Sequence, residues 1–135
     1  MIGIIYARYS SDNQREESIE GQLRECTEYA KRNDIMIIDT YIDRAFSATT
    51  DKRLAFQKMI QDSAKKMFDV IIVWKFDRFA RNRYDSARYK TLLRKNGVKV
   101  ISANENISEG SEDIILESVL EGILQQTYQR ELFVV

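Results

Sequence analysis

The sequence predicts a three-layer α/β/α domain with a mostly parallel central sheet of about four to five strands. Three observations predict it. Short runs rich in isoleucine and valine recur along the chain, amphipathic helical patterns separate them, and 135 residues make one domain. A chain of that length buries roughly 70% of its unfolded surface in a single core.

The strands are "GIIYARYS" (3–10), "IMIIDTYI" (35–42), "DVIIVWKF" (69–76) and "VKVISA" (98–103). Each is a short apolar run of the kind that is buried on both faces of a parallel sheet. Ser18 is placed to cap the first helix, whose apolar positions Ile19, Leu23, Cys26 and Ala30 share one face. Asp51 is the expected cap of the second, with Phe56, Ile60, Ala64 and Met67 on its apolar face. Asn82 is the expected cap of the third, which ends in "RKNG", with basic residues in the last turn and Gly97 at C′. From Ser111 the pairs Ile115/Leu116, Val119/Leu120 and Ile123/Leu124 repeat at helical spacing. That stripe is wider than one packing surface needs, so either a core helix or a helix shared with another subunit is expected. The chain closes on four apolar residues in "YQRELFVV", from which a natural continuation is expected.

Composition narrows the chemistry. Apolar content of 44% with 31% charged residues fits a soluble globular protein. No apolar run of about 18 residues occurs, and "MIGIIYARYS" lacks a basic n-region. A single cysteine, Cys26, precludes an internal disulfide and fits a reducing cytoplasm. With no histidine in the sequence, Ser-His-Asp and Cys-His catalysis within the chain are excluded, as are zinc sites of cysteine and histidine. Net charge is zero but uneven. Residues 69–99 hold nine basic side chains against three acidic, and residues 100–135 one against seven. The basic middle segment points to a polyanionic partner, or more simply to a solvated helix face.

Strand alternation puts Tyr6, Arg8 and Ser10 on one face, with Arg8 and Ser10 about 7 Å apart. They lie at the C-terminal end of the first strand, where open α/β sheets bind ligands. The third strand delivers "DRFAR" to the same edge, so Asp77, Arg78 and Arg81 join them. Three guanidiniums, a hydroxyl and a carboxylate suit phosphodiester transfer. The Ser10 hydroxyl attacks phosphorus, and planar guanidiniums stabilise charge on the non-bridging oxygens. Asp77 either protonates the leaving oxygen or orients the arginines.

"YARYS" (6–10) followed by "DRFAR" (77–81) resembles the serine recombinase family, the resolvases, invertases and large serine integrases or transposases. Its Y-x-R-x-S and D-R-x-x-R signatures both match. "SIEGQ" (18–22) resembles the segment carrying the family's active-site glutamine, here Gln22. "DRAFSATTDKR" (43–53) resembles its mobile acid-to-arginine loop, with Asp43, Ser47 and Arg53 at the matching positions. Gln14 falls in the loop after the nucleophile, and Arg130 in "YQREL" where the long helix begins. The twelve positions from Ser10 to Gln22 point to the large branch.

This resemblance implies a resolvase-like fold and Ser10 as nucleophile, with Arg8, Arg78, Arg81 and Asp77 catalytic. Tyr6, Gln14, Gln22, Asp43, Ser47, Arg53 and Arg130 are implied to support the site or bind DNA phosphate. It further implies a 5′-phosphoserine intermediate and religation on double-stranded DNA, with no metal or other cofactor. Assembly from dimer to tetramer through the C-terminal helix is implied as well. Residues 1–135 would be the catalytic domain, the DNA-binding domains lying outside it, and the domain alone would be inactive or nearly so. Two other classes are a metal-dependent nuclease using Asp39, Asp43 and Asp77 with Mg²⁺, and a non-catalytic oligomerisation module.

Overall fold

The structure is a computed structural model and describes residues 1–9, 18–44, 53–80 and 83–105. The expected caps Asp51 and Asn82 and the helix expected from Ser111 lie outside the described residues. In chain order the elements are β1 (Ile2–Tyr9), α1 (Ile19–Arg32), β2 (Met36–Arg44), α2 (Leu54–Ser63), β3 (Val70–Val73), α3 (Phe76–Phe79), α4 (Arg83–Lys95) and β4 (Lys99–Ser102). The four strands form one sheet in the order β2-β1-β3-β4, and every pairing is parallel. Among the described residues no helix is long and apolar enough to cross a membrane.

Helices cover both faces, as alternating strands and helices require. On one side Ile4, Tyr6, Phe56, Met59, Ile71, Val73, Phe79 and Leu93 form a cluster with α2, α3 and α4. On the other, Ile5, Ile72 and Trp74 pack with Cys26 and Ala30 of α1. Gly3 is needed where three elements converge, because a Cβ there would lie 2.8 Å from Ile35 and 2.9 Å from Val70.

Burial on both faces holds for the two central strands. Ile4 to Arg8 of β1 and all of β3 are buried, whereas Met36 and Ile38 of β2 are exposed. The strand order explains this correction, since β2 lies at the end of the sheet and an apolar run does not encode its position in the order. The apolar face of α2 also differs. The helix stops at Ser63, Lys66 adopts a left-handed conformation, and Met67 is exposed. Phe56, Met59 and Ser63 are the buried positions, with Ile60 only partly buried.

Two caps follow the sequence. The Ser18 hydroxyl accepts from the Gly21 N–H at 3.1 Å. At the end of α4 the Gly97 N–H donates to the Arg94 carbonyl and the Val98 N–H to the Leu93 carbonyl, with Gly97 at φ 76°, which is a Schellman closure. Gly97→Ala is therefore expected to destabilise the domain by about 1 kcal/mol, measured as a lower urea midpoint with an unchanged slope.

Candidate active site

The C-terminal edge of the sheet is uneven, and that unevenness makes the site. β3 pairs with β1 only as far as Val73 opposite Tyr6, while β1 continues beside β2 to Tyr9, with Arg8 opposite Asp43. The chain leaving β3 is thus free to turn over the end of β1, and it does so as the single helical turn α3. Asp77 and Arg78 lie within that turn rather than in the first turn of the following long helix.

Arg8 reaches this turn directly, its guanidinium donating to the Asp77 carbonyl at 2.7 Å. Arg78 approaches the Asp77 carboxylate at 3.6 Å. Arg8 and Arg78 are 6% and 4% exposed, against 54% for the Asp77 side chain. Two arginines held in protein beside one solvent-facing carboxylate form a rigid positive site. Gln22 of α1 stands beneath it, 1% exposed. Its amide accepts from the Arg8 N–H at 3.3 Å and donates to the Arg8 carbonyl at 3.1 Å.

A second cluster surrounds Asp43 at the end of β2. One carboxylate oxygen accepts from the Tyr6 hydroxyl at 2.6 Å and the Phe56 N–H at 3.0 Å; the other accepts from the Ala55 N–H at 2.8 Å. Asp43 therefore caps α2 from a different element. The residue at the N-cap position is Arg53, with left-handed φ 44° and no capping side chain. The Arg53 guanidinium donates to the Tyr6 hydroxyl at 3.3 Å and to the Phe79 carbonyl of α3, and stacks 3.7 Å above the Phe56 ring. Arg53 thus ties the Asp43 cluster to the turn that carries Asp77 and Arg78.

Burial pushes the Tyr6 phenol far above its ordinary pKa of 10.0, and Asp43 adds to the rise, although the Arg53 charge pulls the other way. Tyr6 remains a neutral donor at physiological pH and cannot serve as a base. Tyr41, pushed up by desolvation and by its hydrogen bond to Asp62, behaves alike. Both folded pKa values lie above the unfolded one, so their contribution is complete below about pH 10 and is lost as pH rises beyond it. Urea midpoints are expected to fall above pH 10, less steeply in Tyr6→Phe.

Of the expected site residues, Tyr6, Asp43 and Arg53 form one cluster, and Arg8, Asp77, Arg78 and Gln22 the other. Ser10, Gln14, Ser47, Arg81 and Arg130 lie outside the described residues. The sequence reading missed the aromatic support. Trp74 carries the Lys75 ammonium 4.6 Å and the Arg78 guanidinium 5.5 Å from its ring centre. Its indole N–H is buried without a partner among the described residues. The alternation of aromatic and basic residues in "WKFDR" was the available signal. The basic middle segment is mixed. Arg83, Arg88, Arg94, Lys95 and Lys99 are exposed, whereas Lys90 is buried with its ammonium 4.5 Å from the Phe76 ring centre.

Asp39, Asp43 and Asp77 do not gather into one site. Asp43 is committed to three donors, the Asp39 carboxylate accepts from Thr40 N–H, and no metal-holding group of three acidic or sulfur side chains occurs among the described residues. A cleft of about 620 Å³, lined by Tyr29, Arg32, Phe76, Ser102, Asn104 and Glu105 among others, lies beside β4 and contains neither Arg8 nor Arg78.

Known proteins share this fold. The N-terminal catalytic domain of TP901-1 integrase superposes with a TM-score of 0.71 at 32% identity, over 98% of this chain and 99% of that one. A resolvase family site-specific recombinase from Streptococcus pneumoniae gives a TM-score of 0.74 at 26% identity, over 98% and 93%. A Bacillus subtilis (strain 168) protein whose name calls it a DNA recombinase is 26% identical over 110 residues, which is 80% of this chain but 21% of that protein. This chain therefore spans about a fifth of the curated relative. The family described as "Resolvase, N terminal domain" matches residues 3–133, and with that match across nearly its whole length the chain belongs to the resolvase family, whose fold is that of serine recombinase catalytic domains.

Proposed function

We propose that this domain catalyses the strand cleavage and rejoining of site-specific DNA recombination through Ser10. A bond forms between Ser10 Oγ and phosphorus as the bond from phosphorus to the 3′ oxygen breaks. The serine proton leaves to a base, the 3′ oxygen takes up a proton, and a 5′-phosphoserine and a free 3′-OH result. The reverse reaction reseals DNA without ATP, because the phosphoseryl ester retains the bond energy.

The observation that carries this reading is the meeting of Arg8, near the end of β1, with Arg78 of α3 at the Asp77 turn; in the sequence Ser10 follows Arg8 by two residues. Arg81 completes the guanidinium group, with Asp77 as proton donor or orienting residue. Tyr6, Asp43 and Arg53 hold the surrounding framework, and Gln14, Ser47 and Arg130 are assigned supporting or phosphate-binding roles. Exposed Arg83, Arg88, Arg94 and Lys95 on α4 suit contact with the backbone of double-stranded DNA. A dimer-to-tetramer assembly through the helix expected after Ser111, without a metal or nucleotide cofactor, belongs to the same reading.

Mass spectrometry of the natural protein containing this sequence, trapped on DNA bearing its recombination site, tests it. The expected adduct is a nucleotide 5′-phosphate on Ser10, formed in EDTA and absent from Ser10→Ala. Cleavage that persists in Ser10→Ala but stops in EDTA would instead favour metal-dependent hydrolysis.

A further inference from the structure

Gln22 gives both polar ends of its amide to one residue of the neighbouring strand, accepting from the Arg8 N–H and donating to the Arg8 carbonyl. Those two groups occupy the level where β3 has already left the sheet, its last pairing with β1 being Val73 opposite Tyr6. Arg8 lies opposite Asp43 of β2, but on the side where β3 has ended its buried N–H and C=O need a donor and an acceptor from another element. Arg8 is 6% exposed and Gln22 1%, so the α1 side chain supplies what β3 does not.

We propose that Gln22 is a positioning residue that acts as a substitute rung of the sheet and fixes the peptide at Arg8, and so the approach of Ser10, without itself touching DNA phosphate. The proposal rests on the recombinase reading above and gives Gln22 a role different from phosphate binding. The residue occupies α1 directly after its capped first turn, where the Gln22 N–H donates to the Ser18 carbonyl at 2.8 Å. The Ser18 cap therefore sets the height of the amide against β1. Only a side chain with a donor and an acceptor in a planar fork can serve both Arg8 groups.

The glutamate variant separates this role from a contact with phosphate. In Gln22→Glu an ionised carboxylate accepts from the Arg8 N–H but turns a second acceptor toward the Arg8 carbonyl. The neutral acid restores the donor. Burial raises the carboxyl pKa, so the rate of Gln22→Glu relative to wild type at the same pH is expected to recover as pH is lowered toward about 6. Gln22→Met, similar in length, lacks both partners at every pH.

Two measurements decide. In the DNA-free domain, hydrogen exchange at the Arg8 amide should quicken at least tenfold in Gln22→Met relative to wild type, at matched global stability. In the natural protein containing this sequence, on a duplex carrying its mapped cleavage site, adduct formation at saturating DNA should slow about tenfold or more in Gln22→Met and in Gln22→Glu at pH 7.5. The affinity for DNA and its salt dependence should stay unchanged. Unaltered exchange at Arg8 would overturn the positioning role, and weaker DNA binding with a normal rate at saturation would overturn it and assign Gln22 to phosphate instead. Failure of the wild-type protein to form any Ser10 adduct would overturn the recombinase reading and this proposal together. A wild-type adduct with an unchanged rate in Gln22→Met would overturn the proposal alone.

Discussion

Arg78→Ala is expected to slow formation of the covalent protein–DNA adduct by about 10²–10³, equivalent to roughly 3–4 kcal/mol of barrier by analogy with the loss of one oxyanion-hole donor. Arg78 is 4% exposed, its guanidinium near both the Asp77 carboxylate and the Trp74 ring. Its orientation is thus set before DNA arrives, the condition under which an electrostatic group contributes most to a transition state. Arg78→Lys should recover little, since an ammonium lacks the planar fork that meets two phosphate oxygens at once. The contrast is Arg83→Ala, an exposed position on α4. There the salt dependence of DNA binding should shrink by about one counterion while the rate at saturating DNA stays constant. Single-turnover adduct assays at several salt concentrations distinguish the two, with thermal unfolding as the control for stability.

Asp43→Ala is expected to be the most destabilising of these changes, by about 2–4 kcal/mol. It removes the acceptor for the Ala55 and Phe56 N–H groups at the start of α2, and it leaves the buried Tyr6 O–H without the acceptor it donates to, although that oxygen still accepts from Arg53. Loss of a helix cap costs about 1 kcal/mol, and a buried hydroxyl without its partner about 1–3 kcal/mol more. For a domain of this size that lowers Tm by roughly 5–15 °C. Asp43→Asn should lie between, because its amide oxygen still caps but carries no charge. Calorimetry on the three proteins at pH 7 orders them.

The layered fold was legible because each strand is a compact apolar run and each helix an amphipathic one; the cap at Ser18 and the stop at Gly97 were written in single residues. What was not legible had non-local causes. The cap of α2 comes from Asp43, which lies ten residues before Arg53 and in a strand, so no neighbouring side chain announces it. The separate turn α3 arises because β3 ends early against β1, a matter of pairing length rather than composition. The meeting of Arg8 with Asp77 was legible in outline, since parallel strands share an edge. The contact itself runs to the main-chain oxygen of Asp77, which identity at position 77 does not encode.

The chain has one tryptophan, and it is Trp74, with two cations over its indole. All tryptophan fluorescence from this domain thus originates three residues before Asp77. Any event that draws Lys75 or Arg78 toward a negatively charged ligand changes the field on that single emitter. The domain carries an intrinsic optical probe of its arginine-bearing turn, so stopped-flow emission can report the arrival of a phosphate at these cations with no label attached.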